Sequence, residues 1–192
     1  MRREGGGRAA ARMRERLADA FWECLDAARL DAVSVGDVIA AAGVSRGSFY
    51  YHFADKDELV RWALRHEVID VDRRGTSLVA VMAGPEPDDE DPIVARGVRR
   101  ICLLIDRGGM DVAYDAMLEL AIEFWTRAQR PEGGRLPDEV VAALEYGVGG
   151  LVGMLSRADT STEAHRRASV AFLREQHARL REHVLSEVLV AS

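Results

Sequence analysis

The chain has 192 residues, of which 48 % are apolar, enough for one sizeable core or for a small domain joined to a larger one. A net charge of −6 argues against a uniformly basic nucleic-acid binder. The sequence has no uninterrupted apolar run near the roughly 20 residues of a membrane span and no apolar h-region of a secretory signal, so a cytoplasmic protein is expected. Cys24 and Cys102 both sit among apolar neighbours and read as buried free thiols.

Charge is unevenly spread. Met1 to Arg16 holds six arginines against Glu4 and Glu15, and residues 1–67 balance at 11 basic and 11 acidic, so the excess acid lies further on. Gly5-Gly6-Gly7 makes residues 1–11 a flexible basic arm, either a solvated tail or a source of phosphate and minor-groove contacts. A first helix runs from about Arg12 to Arg29, with Leu17, Phe21, Cys24, Leu25 and Ala28 inward. Ser34 and Asp37 have capping-box spacing, and the short helix they open carries Val35, Val38, Ile39 and Ala42 on one stripe. Gly43 falls where a helix end needs a left-handed residue. Ser45 caps a helix from Arg46 to Phe53 that buries Phe49 and Phe53 and presents Arg46, Ser48, Tyr50, Tyr51 and His52. Asp55 and Glu58 repeat the capping box for a fourth helix, which packs Leu59 and Trp62.

This layout is a helix-turn-helix with a polar reading face, and residues 12–60 form a DNA-binding domain. The run Ala41 to Leu59, AAGVSRGSFYYHFADKDEL, resembles the TetR family of bacterial transcriptional regulators, and the signature covers about the first third of the chain. The resemblance implies a dimeric one-component repressor that binds a palindromic double-stranded DNA operator and is released by a small organic effector. Arg46 has the chemistry to pair bidentately with guanine O6 and N7, and Ser48, Tyr51 and His52 to reach base edges or thymine methyls. By resemblance Tyr50 and Lys56 contact phosphate. Lys56 is the only lysine among 26 Lys and Arg residues and opens a helix, a position suited to phosphate. Ser34 is expected to cap its helix and touch phosphate as well, and Ser45 and Gly47 complete the reading set. Gly36 departs from the longer polar side chain of many relatives, which weakens contacts from the first of the two helices.

Beyond residue 60 the sequence predicts a helical effector-binding and dimerisation domain, 61–192, so the chain as a whole is all-α. The fourth helix continues past His66 and Ile69 to a break near Gly75, and the linker Ala83–Pro92 carries three prolines and five acids. Pro92 restarts a helix with Ile93, Val94, Val98, Ile101, Cys102 and Ile105 on its apolar side, ending at Gly108-Gly109. Helices follow over Asp111–Gln129, from Pro137 to about Arg157, and from a Thr160/Glu163 cap to about Leu189.

Trp62, His66, Tyr114, Met117, Phe124, Trp125, Tyr146 and Met154 are the candidate lining of an effector pocket, although each serves equally as plain core. Gly149 and Gly153, with Val170, Leu173, His177 and Leu180 of the last helix, are the candidate dimer interface; the alternative for the glycines is close packing inside one subunit. The histidines lack metal-ligand spacing, and no cofactor is implied. No G-x-S-x-G elbow, Walker loop or dinucleotide fingerprint is present, so no enzyme is expected. A regulator controlled by a protein partner, or by no ligand, is the alternative to the effector reading, and an enzyme in the helical domain is the more distant one.

Overall fold

The computed structural model describes residues 4–66, 92–129 and 133–157, together with positions 162–165, 167–168, 171–172, 175–176, 178–179 and 182. The described elements are α1 (Glu4–Ala27), α2 (Val35–Ala42), α3 (Arg46–His52), α4 (Lys56–Leu64), α5 (Pro92–Asp106), α6 (Met110–Gln129) and α7 (Asp138–Arg157). The fold is all-α, with no strand among the described residues. The helix break near Gly75 and nearly all of the Ala83–Pro92 linker lie outside the described residues, as do the side chains of Ile93 and Val94 and the dimer candidates Val170, Leu173, His177 and Leu180.

The turns follow the local chemistry. Ser34 and Asp37 form the reciprocal capping box, with Asp37 N–H donating to Ser34 Oγ at 3.2 Å and Ser34 N–H to Asp37 Oδ2 at 2.8 Å. Gly43 closes α2 at φ 61, where any side chain would meet the left-handed penalty. Ser45 Oγ accepts from Ser48 N–H, and Asp55 Oδ1 accepts from Glu58 N–H at 2.7 Å. Glu58 answers to the N–H of Ala54, one residue before the cap itself, at 2.6 Å.

The first helix departs from expectation. It begins at Glu4, so residues 4–11 of the predicted arm are helical. Ala9, Ala10 and Ala11 are the strongest helix formers, and joined to a long stable helix they outweigh the cost of three glycines.

One core runs through the molecule. Leu17, Phe21 and Leu25 of α1 meet Val38, Phe49, Phe53 and Leu59, all buried, and each such side chain contributes about 1.5–3 kcal/mol. Packing of α1 on α5 and of α4 on α6 joins this head to the second layer, where α5, α6 and α7 pack together through Ile101, Leu104, Ala113, Trp125, Leu144, Val148 and Leu155. Cys24, half-buried, and Cys102, buried, are not joined in a disulfide.

Residues Asp138–Ser156 are long and apolar enough, by length and composition, to cross a membrane, which the sequence reading had not allowed. Val140, Leu144, Val148, Leu151, Val152 and Leu155 are buried along one side of it.

At the junction of the two layers, the loop after α1 sits on the α5–α6 turn. Leu30 N–H donates to the carbonyl of Arg107 at 2.8 Å, and the Arg107 guanidinium donates to the carbonyl of Asp26. The approach is so close that a Cβ on Gly109 would lie 2.5 Å from Leu104 and 3.0 Å from Leu30. Arg100 of α5 lies over the Trp22 ring at 4.9 Å and 3.6 Å from Asp19, a second bond between the layers.

Candidate nucleic-acid interface

The side chains of α3 divide cleanly. Phe49 is buried, and Phe53, the residue capping the C-terminus, is buried behind it. Ser45, Arg46, Gly47, Tyr50 and Tyr51 are exposed, with Ser48 and His52 half-buried between the two sets. Tyr51 is 82 % exposed and meets His52 edge-on at 4.9 Å. Tyr50 is 48 % exposed; its ring edges against Phe49 and stands 5.9 Å from the Arg46 guanidinium. The exposed surface therefore offers a forked cation, two phenols and the Ser45 hydroxyl, with glycine at position 47 allowing close backbone approach.

His52 has a defined charge state. Burial first, and the neighbouring Arg14 second, hold its imidazole below the ordinary histidine range, so the ring is neutral at pH 7, with one nitrogen to donate and one to accept. Arg14 of α1 donates to the His52 carbonyl at 3.5 Å and lies 5.6 Å from the Phe53 ring, tying the end of α3 to α1.

Two positions work differently from the reading of the sequence. The Ser34 hydroxyl lies 2.6 Å from Asp37 Oδ2 and donates to it, which leaves no proton for a phosphate. The same bond, followed by the one from the Ser34 backbone, lowers the Asp37 pKa. Lys56 directs its ammonium into the protein: Nζ donates to the carbonyls of Leu30 at 2.7 Å and Val33 at 2.9 Å, and one hydrogen remains. No sequence signal gives these acceptors, which are 26 and 23 residues away. Gly36 is exposed in the first turn of α2 and adds no side chain to the surface.

The effector candidates fall into separate groups. Trp62 stacks on His66 at 4.4 Å, packs edge-on against Phe53 at 5.7 Å, and lies beside α1, where Glu15 comes within 3.7 Å of His66. Phe124 and Trp125 are neighbours at 5.8 Å in α6, and Tyr114 reaches α7 at Gly149. Met117 and Met154 are half-buried. Tyr146, at 86 % exposure, stands on the side of α7 opposite Leu144 and Val148 and lines no interior among the described residues. The two glycines of the G-x-x-x-G spacing also differ. Gly149 lies in ordinary contact with Tyr114 of its own subunit, whereas a Cβ on Gly153 would meet nothing within 4 Å.

Residues 19–62, from the packed part of α1 into α4, match the model for bacterial regulatory proteins of the tetR family. No curated protein matches the chain.

Proposed function

We propose that this chain, whose residues 19–62 match the tetR-family model, is a DNA-binding transcriptional regulator that acts as a homodimeric repressor, reading a palindromic operator and released by a small organic effector. The observation that carries the reading is the exposed row Arg46, Tyr50 and Tyr51 on a helix fixed by a capped turn before it and by Arg14 behind it. Arg46 reads guanine, while Ser48, Tyr51 and neutral His52 meet base edges and thymine methyls. Ser45, Tyr50 and the remaining Lys56 hydrogen hold phosphates, and Gly47 lets the backbone come close. Ser34 serves as a cap.

Effector control is supported by the joint between the layers. A ligand among α4, α5 and α6 that binds one arrangement of that joint better shifts the spacing of two reading heads; equal affinity for both arrangements shifts nothing. Half-sites about 34–36 Å apart, or a multiple, suit a symmetric dimer. Dimerisation through α7 is supported by the face of Tyr146, Gly147 and Gly150, exposed among the described residues, with half-buried Gly153 beside it.

Fluorescence anisotropy on duplexes from the promoter regions flanking the gene tests the reading. Selective binding that Arg46→Ala relaxes is expected. Absence of selective binding to any genomic duplex, in a selection from the whole genome, overturns it.

A further inference from the structure

Helix α1 continues well past the domain it serves. Met13 is the first of its side chains packed against the core; before it, residues 7–9, 11 and 12 are exposed. At 1.5 Å per residue, the segment from Glu4 to Arg12 adds about 13 Å of helix beyond the packed part. Among the described residues of this segment only Ala10 is half-buried, so the segment gains little burial energy there and its exposed side chains face outward.

The exposed chemistry is cationic. Arg8, Arg12 and Arg16 follow at four-residue steps, which places them along one face, and all three are exposed. Neither Arg8 nor Arg12 pairs with a carboxylate among the described residues. Residues 1–16 carry six arginines and two glutamates, in a chain of net charge −6.

The line also starts in a particular place. The Arg16 guanidinium lies over the Gly43 turn that precedes α3, 3.2 Å from where a Cβ would sit, and Arg14 holds the last carbonyl of α3. The extension therefore leaves the domain directly beside the reading helix. From Arg16 to Arg8 is about 12 Å, the rise of three to four base steps at 3.4 Å each.

We infer that Arg8 and Arg12 form a helical rail that binds backbone phosphates of duplex DNA outside the half-site read by α3. The rail adds affinity and salt dependence without sequence information, because phosphate contacts position a protein on the duplex while base contacts specify it. The inference rests on the DNA-binding reading above and goes beyond it, since a helix-turn-helix needs no such extension.

The test uses the full-length protein and a duplex that the wild type binds selectively, in a short form ending at the half-sites and a long form extended by six base pairs on each side. Affinity is measured between 50 and 200 mM salt for the wild type, the Arg8→Ala/Arg12→Ala double variant, and the charge-retaining Arg8→Lys/Arg12→Lys variant. On the long duplex the double variant is expected to lower the salt slope by about 3.6, from the four arginines of a dimer at 0.9 per phosphate, so that the wild type loses roughly 150-fold more affinity across that range. The lysine variant restores most of the slope, discrimination between operator and mutated operator stays unchanged, and the short duplex shows a smaller difference. Equal slopes for wild type and double variant on the long duplex overturn the rail while leaving the regulator reading intact. Failure of the wild type to bind any duplex selectively overturns that reading, and the rail with it. Loss of discrimination in the double variant assigns the arginines to base reading and also overturns the inference.

Discussion

Lys56 and Leu30 are joined by a 2.7 Å bond from the ammonium to the backbone carbonyl, so the first residue of α4 holds the loop that follows α1. A second bond, to the Val33 carbonyl, makes the lysine a clamp on both ends of a short loop. The residue that resemblance assigns to phosphate is thus also a structural tie.

Replacing it has a stability cost that DNA binding alone does not predict. Lys56→Ala removes two charge-assisted bonds and is expected to destabilise the protein by about 3 kcal/mol. For a chain of this size that lowers the melting temperature by roughly 6–12 °C. Thermal and urea unfolding without DNA check this; an unchanged midpoint would mean that the clamp carries no weight in solution.

Arg46→Ala leaves folding intact, because the side chain is exposed and its nearest ring partner stands 5.9 Å away. The expected effect is a loss of about 1–3 kcal/mol of discrimination at one operator position. Affinities for a set of single-base operator variants measure it. A uniform loss across all of them would assign Arg46 to phosphate.

Gly43→Ala places a methyl at φ 61 and 3.2 Å from the Arg16 guanidinium. The left-handed backbone alone costs about 1–2 kcal/mol, and Arg16 moves readily, so the strain decides the outcome. Gly43→Asn is expected to be milder, since asparagine tolerates this region better, and paired unfolding curves of the two variants test the order.

For His52 the pH dependence has a definite sign. Its folded pKa lies below 6.5, so as pH falls through 6.5 the unfolded chain takes up a proton before the native one, and stability declines. The loss is complete below the folded pKa, and above 6.5 the residue contributes no pH dependence. His52→Asn is expected to flatten the acid side of the stability curve. An NMR titration placing the imidazole above 6.5 would reverse the sign.

Glycines in α7 give a fifth test. With nothing within 4 Å of a Cβ at Gly150 or Gly153, alanine there would stabilise an isolated subunit by up to about 1 kcal/mol at each site. If a second copy approaches along this face, Gly150→Ala/Gly153→Ala weakens the dimer instead. Sedimentation across a concentration series separates the two outcomes, and a dimer of undiminished affinity removes this face from the interface.

The local signals were readable because they are local. Ser34 with Asp37, Gly43, Ser45 and Asp55 each act within a few residues, and periodicity alone puts Phe49 and Phe53 inside. The start of α1 was misread because three glycines look like a terminator, while the alanines after them and the length of the attached helix decide the matter. The Lys56 clamp, the Arg100–Trp22 contact and the seat of Leu30 on the α5–α6 turn join residues far apart in the chain, and no spacing rule reaches them. Tyr146 shows the same limit for aromatic residues, whose type fits a core or a surface equally.

The Leu30 seat is written in main chain. Its N–H goes to Arg107 and its carbonyl to Lys56, so the residue connects the two layers through atoms that every amino acid except proline carries. Most side-chain exchanges at position 30 alter the packing against Gly109 but leave both bonds in place. A saturation scan would therefore find the position tolerant of chemistry and intolerant of proline. Such a connection can persist through sequence drift that erases every other trace of how the two layers communicate.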